Sequence, residues 1–298
     1  MAGFRTIVIN KLAKLETKLG YLVIRTDKEE RVHLSEIETL IIESTAVALT
    51  AMLISELSKN GVAIIFCDEK HLPESQVLPL NANFNSSGNV FWQILWKNEA
   101  REKCWTEIVK NKISMQSNVL KKQECAEYKM LDKYLGEVAN GDTTNREGHA
   151  AKVYFNALFG KSFARKAEND INSALNYGYS IIMSAFAREV VAAGYLTQVG
   201  IWHRGEQNPY NFPCDLMEPF RPIVDFLVVN IFKDDSTDTK FKKKLQDLYL
   251  TKVKINNQIQ QIYPAMRIFF RRIVQFLSGE ATTIYFVEDF ICGGEDEL

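Results

Sequence analysis

Long apolar runs are missing from this sequence, and no stretch approaches the roughly 20 residues that a membrane-spanning helix needs. The run Thr6-Ile7-Val8-Ile9 near the start is too brief for the core of a secretion signal, and no small-residue cleavage site follows it. The expectation is a soluble, cytoplasmic protein that does not engage a membrane. Cysteine is sparse as well. The five, Cys67, Cys104, Cys125, Cys214 and Cys292, are odd in number and scattered, with no C-x-x-C pair. That excludes a thiolate zinc site and a dithiol redox motif, and it fits a reducing compartment where thiols pack as small hydrophobes. An excess of positive charge is also lacking: 36 Lys and Arg stand against 37 Asp and Glu, a formal net charge of −1. A globally basic nucleic-acid binder is thereby excluded, and any contact with phosphate has to come from local patches. No internal repeat or low-complexity tract is present, so repeat architectures are excluded too.

What is present is an ordinary globular composition, 46% hydrophobic and 24% charged over 298 residues, enough for one large domain or two of usual size. Short β-branched segments at 6–10, 21–25, 31–34 and 39–42 alternate with polar turns and predict strands of an antiparallel meander. Leu49, Met52, Leu53 and Leu57 then recur at helical spacing until Asn60-Gly61 stops them, and 62–66 reads as a buried strand. Residues 81–89 are polar and turn-forming, the natural linker between a β-rich domain over 1–80 and a helical domain over 90–298. In the latter, spacing predicts helices over 90–112, 117–135, 145–159, 169–193, 218–232, 240–260 and 264–277. The fold class is α+β, a small N-terminal β-rich domain before a larger all-helical one.

Three places in the helical part put an ionisable group where packing alone would not. On a helix, Glu147 shares a stripe with Ala150, Ala151, Tyr154 and Leu158, so its carboxylate lies on or beside the buried face. Two readings stand: a functional carboxylate, or the last residue of a Thr144-x-x-Glu147 capping box. His149, two residues on, points away from Glu147 and reads as structural. His203 sits in the turn-rich loop Gly200-Ile-Trp-His-Arg-Gly205, either as a plain loop side chain or as a metal-binding imidazole. Pro219 and Pro222 confine Asp215 and Glu218 to the start of a helix, where carboxylates either cap or bind. Two carboxylates and an imidazole form an O,N,O set suited to Mg²⁺ or Mn²⁺.

The segment Asn145-Arg-Glu-Gly-His-Ala-Ala-Lys-Val-Tyr-Phe155, followed by Leu175-Asn-Tyr-Gly-Tyr-Ser180, Ala187-Arg-Glu-Val190 and Asp215-Leu-Met-Glu-Pro-Phe-Arg-Pro222, resembles the CRISPR-associated spacer-acquisition integrase, in its type II branch. The opening Phe4-Arg-Thr-Ile-Val-Ile, His33-Leu-Ser-Glu-Ile37 and Ile65-Phe-Cys-Asp68 carry the likeness through the first domain. The resemblance implies a metal-dependent DNA integrase and endonuclease in which a DNA 3′-hydroxyl attacks a phosphodiester at the edge of a CRISPR repeat. It assigns Glu147, His203 and Glu218 as catalytic ligands of one Mg²⁺ or Mn²⁺, with Asp215 a second candidate because many relatives outside this branch carry aspartate where Glu218 stands. Implied partners are double-stranded DNA (prespacer and repeat), a second copy of the chain joined through the β-rich domain, a small ferredoxin-like second adaptation protein, and other type II adaptation proteins. A non-catalytic DNA-binding scaffold is the alternative, and the joint presence of glutamate, histidine and glutamate argues against it.

Strand transfer needs no covalent protein intermediate, so Tyr154, Tyr177 and Tyr179 read as packing aromatics. Glu189, on an apolar stripe, reads as the partner of a buried arginine. For DNA contact, Arg146 and Arg204 adjoin the ligands, while Lys240 with Lys242, Lys243 and Lys244, and Arg267 with Arg271 and Arg272, are spaced to put charge on one side of a helix or form plain solvated faces.

Overall fold

In the computed structural model the described residues are 5–69, 73–78, 85–233, 241, 245, 248 and 250–292. The chain divides into two compact units, residues 1–86 with 187–194, and residues 87–186 with 195–298. Of the expected linker, 81–84 lie outside the described residues, and helix already runs from Ser86.

The first unit is strand-rich. Strands β1 (Arg5–Ile9), β5 (Ile37–Ile42), β7 (Ala63–Cys67) and β8 (Pro73–Val77) form one sheet in the order β1-β5-β7-β8. Strands β4 (Glu29–His33), β3 (Tyr21–Arg25), β2 (Ala13–Lys18) and β6 (Val47–Leu49) form another, in the order β4-β3-β2-β6. Only part of the expected antiparallel meander forms. The β2-β3-β4 run is antiparallel, but β5 pairs in parallel with both β1 and β7. All six residues of β5 are buried, and such two-faced burial is what a central parallel strand requires. Helix α1 (Ala51–Lys59), capped by the Thr50 hydroxyl on the Leu53 amide, carries the chain across to β7. Leu15, Leu22, Leu40, Leu53 and Leu57 fill the core at 0% exposure. Arg188, counted with this unit, pairs with Glu38 at 2.5 Å and Glu189 at 3.0 Å, the arginine pairing expected for Glu189.

The second unit is organised on α3 (Asn98–Lys122), 25 residues long with Trp105, Ile108, Val109, Ile113, Val119 and Leu120 on its buried stripe. Against it pack α4 (Tyr128–Gly136), α5 (Arg146–Phe159), α7 (Asn211–Met217), α8 (Arg221–Lys233) and a helix over Ile262–Leu277, and the unit also holds α2 (Ser86–Ile94) from residue 87 and α6 (Asp170–Ala192) up to residue 186. The unit is not wholly helical. Where a helix over 240–260 was expected, Lys252–Ile255 and Gln258–Gln261 pair as an antiparallel hairpin, extended by a strand at Val287–Ile291. The cause is local: Asn256 and Asn257 both adopt left-handed φ (51° and 57°), the geometry of a two-residue hairpin turn, between segments that alternate in polarity.

A methyl group at Gly178 of α6 would lie 2.4 Å from Val224 Cγ1 of α8, so the two helices approach as closely as they do because this residue has no side chain. Gly178→Ala is expected to destabilise the protein by about 1–3 kcal/mol through overpacking, despite the better helix propensity of alanine. Thermal or denaturant unfolding checks this, and a stabilised variant would contradict it.

Candidate active site

The site begins with a lysine in an unexpected place. Lys112 falls on the buried stripe of α3, one turn beyond Ile108 and one before Gln116, and is itself buried. A lone ammonium there would be expensive. Its Nζ stands 2.5 Å from Glu147 Oε1 and 2.5 Å from Glu218 Oε2, so the two carboxylates converge on one cationic atom from separate parts of the chain. Lys112 escaped the sequence reading, although a lysine in register with Trp105, Ile108 and Gln116 was the signal that could have found it.

Glu147 reaches Lys112 because it is not needed as a cap. Asn145, at φ 52°, accepts from the Gly148 amide, and the two oxygens of Asp142 accept from the amides of Arg146 and Glu147 at 2.8 and 3.0 Å. The Thr144–Glu147 capping box does not form, and the Thr144 hydroxyl instead faces the Glu137 carbonyl. Glu218 opens the short 3₁₀ turn Glu218–Phe220 between α7 and α8, where Pro219 is tolerated. Its side chain, 3% exposed, also meets Arg221 Nε at 3.1 Å. Burial works to raise the Glu218 pKa, but Arg221 and Lys112 outweigh it and hold the carboxylate below its ordinary range. In the same way burial opposes the charge on Lys112, and Glu218 and Glu147 restore it, leaving the pKa raised.

His203 is held from one side. Its Nδ1 lies 2.6 Å from Asp215 Oδ1, and Asp215 also accepts the backbone amides of Ile201, Trp202 and His203 at 2.5, 3.0 and 3.1 Å. Four donors occupy the two oxygens of a fully buried carboxylate, so Asp215 is committed to shaping the loop. A carboxylate accepting amide protons also takes its bond from Nδ1–H, which leaves the lone pair on Nε2. The Asp215 bond raises the His203 pKa, burial opposes this, and the fields of Asp215, Glu218 and Glu147 add to the rise. The ring meets Trp105 edge-on at 5.6 Å, while Trp202 stacks flat on the same indole at 5.8 Å.

Among the described residues no three or more His, Cys, Asp or Glu side chains are already arranged around a single metal position. The donor chemistry nonetheless fits a hard divalent ion: two carboxylates share one cationic point, and an imidazole held by a carboxylate lies within their field. Glu147, Glu218 and Nε2 of His203 are the groups that would hold it.

Beside His203 opens a cleft of about 740 Å³, lined in part by Asn98, Arg101, Arg204, Asn208 and Asn211. Arg101 is spent on the carbonyls of Gly200, Gln93 and Trp96, so it braces the wall, whereas Arg204 is exposed on the cleft. Arg146 pairs with Glu137 at 3.1 Å and lies over the Tyr134 ring, which also meets His149. Arg271 is exposed, but Arg272 bonds the Thr283 carbonyl and hydroxyl and covers Tyr285. Lys242, Lys243 and Lys244 lie outside the described residues.

Behind the site, Asp225 of α8 is 1% exposed and accepts the hydroxyl of Tyr154 at 3.0 Å and that of Tyr179, whose ring also lies under Arg221 at 4.8 Å. Tyr177 is buried edge-on against Phe241. All three tyrosines are thus packing or hydrogen-bonding groups. Burial pushes Asp225 up to about 6, against the downward pull of both tyrosines and Arg221. A carboxyl raised on folding stabilises below its unfolded pKa near 3.8 and loses that contribution as pH rises through about 6. The unfolding free energy of wild type relative to Asp225→Asn is therefore expected to fall by about 2 kcal/mol between about pH 4 and pH 6.5. Denaturant unfolding of both proteins across that range tests it, and parallel pH curves would contradict it.

The chain thus combines a strand-rich unit, a mainly helical unit, two carboxylates bridged by one ammonium, and a histidine braced by Asp215 within their field. The same fold is found in a casposase bound to integration product (TM-score 0.77, 18% identity, 94% of this chain and 92% of that one) and in a Cas1 protein from Thermotoga maritima (TM-score 0.75, 16% identity, 92% and 97%). Residues 6–263 match the family described as CRISPR associated protein Cas1, and the chain belongs to that family. Among its relatives is a CRISPR-associated endonuclease Cas1 of Neisseria meningitidis serogroup C, 35% identical over 232 residues (77% of this chain and 76% of the relative). A Francisella tularensis subsp. novicida relative of the same description is 24% identical over 289 residues (88% and 90%). Among the described residues no helix is long and apolar enough to cross a membrane.

Proposed function

We propose that this protein is a metal-dependent DNA integrase and endonuclease of CRISPR spacer acquisition, in the type II branch to which the motifs around Glu147, Tyr177 and Glu218 point. The observation that carries the reading is the convergence of Glu147 and Glu218 on one cationic point within the field of a histidine braced by Asp215. Family membership and the name of the Neisseria relative support nuclease chemistry, and the casposase likeness supports strand transfer on the same fold.

In this reading a DNA 3′-hydroxyl attacks the phosphorus at a repeat edge. A new 3′-O–P bond forms, the old P–O3′ bond breaks, and the proton of the attacking hydroxyl ends on the departing strand's 3′-oxygen by way of solvent. A bound Mg²⁺ or Mn²⁺ supplies charge stabilisation at the phosphoryl oxygens and a lower pKa for the attacking hydroxyl. Glu147, Glu218 and His203 Nε2 are the groups that would hold that ion. Asp215 fixes the imidazole tautomer and the course of residues 201–203, and Arg204 offers its charge to the strand lying in the cleft.

Joining both ends of a spacer calls for two such sites at a fixed separation, and the described residues of one chain carry one set. We therefore propose a homodimer, in complex with a Cas2-type small protein of the kind named in the structurally similar Cas6-RT-Cas1–Cas2 complex. Strand transfer of an oligonucleotide into a repeat-containing plasmid is the test. The expected product requires a free 3′-hydroxyl and Mg²⁺ or Mn²⁺ and is lost with a chelator. Tight DNA binding with neither transfer nor cleavage would favour the scaffold instead.

A further inference from the structure

We propose that Lys112 is a resident stand-in for the divalent cation, an ammonium that the incoming ion must expel and that sets the site's affinity for the ion and its stability without it. The inference rests on the reading that Glu147 and Glu218 bind the metal. Its starting point is geometric: one Nζ lies 2.5 Å from an oxygen of each carboxylate. Glu218 is 3% exposed and Lys112 11%, so neither side chain has much water to turn to. Without the ammonium, two carboxylates would face each other across a short gap, an arrangement that normally forces one of them to take up a proton. Lys112 removes that conflict in the metal-free chain.

A divalent ion that takes the same two oxygens brings two positive charges into the space around Nζ. Ion and ammonium would then lie within a few ångströms of each other in a poorly solvated pocket, where like charges repel strongly. Binding is therefore an exchange, ion in and ammonium out. Lysine suits this because its charge sits at the end of a flexible four-carbon stem with freely rotating donors, whereas a planar guanidinium would be fixed in place. Once displaced, the ammonium remains tethered to α3 beside the site with no carboxylate of its own. Its natural new partner is an anion, and the scissile phosphate is the anion that the reaction brings there. Lys112 is thus a positioning residue with two states, carboxylate-bound without metal and phosphate-facing with it.

Two measurements on the 298-residue chain without DNA test this. The first is Mn²⁺ titration followed by the electron paramagnetic resonance of the free ion. Lys112→Gln and Lys112→Met, which remove the competing charge, are expected to bind Mn²⁺ tighter by about tenfold or more, the scale on which groups surrounding a metal site tune affinity. Lys112→Arg, which keeps the charge, is not expected to tighten it. The metal-free neutral variants should also melt at lower temperature than wild type and gain more on adding Mn²⁺. The second needs no variant: amine-reactive labelling of the wild-type chain, read by mass spectrometry, should show Lys112 protected without metal and labelled once Mn²⁺ is added.

The outcomes separate the two levels of the argument. If Glu147→Gln and Glu218→Gln abolish Mn²⁺ binding but the neutral Lys112 variants bind no tighter than wild type, or Lys112 labelling ignores Mn²⁺, this inference alone is overturned. If Mn²⁺ binding persists with both glutamates replaced, the reading of the site falls and takes the inference with it.

Discussion

Glu218→Gln is expected to lower the rate of strand transfer by roughly 10³-fold, several kcal/mol of transition-state stabilisation, while leaving DNA affinity nearly intact. Glutamine keeps the shape of the side chain but not its charge, and Glu218 is the more buried of the two carboxylates that meet Lys112 and has two cationic neighbours. The same change should cost stability. Removing one partner of a buried pair typically costs about 3–5 kcal/mol. Here the loss should fall at or below the lower end, because Lys112 keeps Glu147 and Arg221 is 30% exposed. Glu147→Gln provides the contrast. Its side chain is 27% exposed, so it should lose activity to a similar degree with a much smaller fall in melting temperature. Measuring both variants for transfer rate and thermal unfolding separates the catalytic role from the structural one. Wild-type transfer by either folded variant would mean that its carboxylate does not take part.

Asp215→Asn should produce the second large effect, by a different route. The aspartate accepts four hydrogen bonds, three from consecutive backbone amides and one from His203 Nδ1. Asparagine keeps one accepting oxygen but replaces the other by an NH₂ that cannot accept, so at least one of those donors would face another donor in a buried site. Hydrogen bonds to a charged acceptor are worth about 1.5–3 kcal/mol each, and an expected loss of about 2–4 kcal/mol follows from two of them weakening. Activity should fall by about 10–100-fold, the usual cost of losing the group that orients a metal-binding histidine. The loss should appear with a matching fall in Mn²⁺ affinity, because the imidazole is still present but no longer aimed. A variant with normal Mn²⁺ affinity and slow transfer would instead assign Asp215 a direct part in the chemistry.

The difference between these two carboxylates could not be read from sequence, where both stand ahead of the same pair of prolines and both could cap or bind. It became visible only when the loop over 201–203 folded back onto Asp215. Glu147 presents the converse case. Its place on an apolar stripe marked it as unusual, and the capping box that competed for it is absent because Asp142 and Asn145, earlier in the chain, do the capping. Lys112 was legible in principle, since its stripe is strongly apolar, but lysines are so common on helices that only three-dimensional burial singles it out. Helix positions such as 146–159 and 262–277 followed from periodicity, because their buried faces repeat at helical spacing. The parallel pairing of β5 and the Asn256-Asn257 hairpin did not, the first because pairing partners are distant in sequence and the second because flanking lysines and glutamines resemble a polar helix. The order of motifs, rather than any local pattern, is what tied Glu147, His203 and Glu218 together across the chain.

The central claim is that these three side chains share one divalent ion. Anomalous diffraction from crystals of the protein grown with Mn²⁺ tests it most directly. The account predicts one strong peak at about 2.0–2.3 Å from a carboxylate oxygen of Glu147, a carboxylate oxygen of Glu218 and Nε2 of His203, with Nδ1 still on Asp215. A peak held by other residues, or none at millimolar Mn²⁺ with Lys112 still bridging the two glutamates, would contradict it.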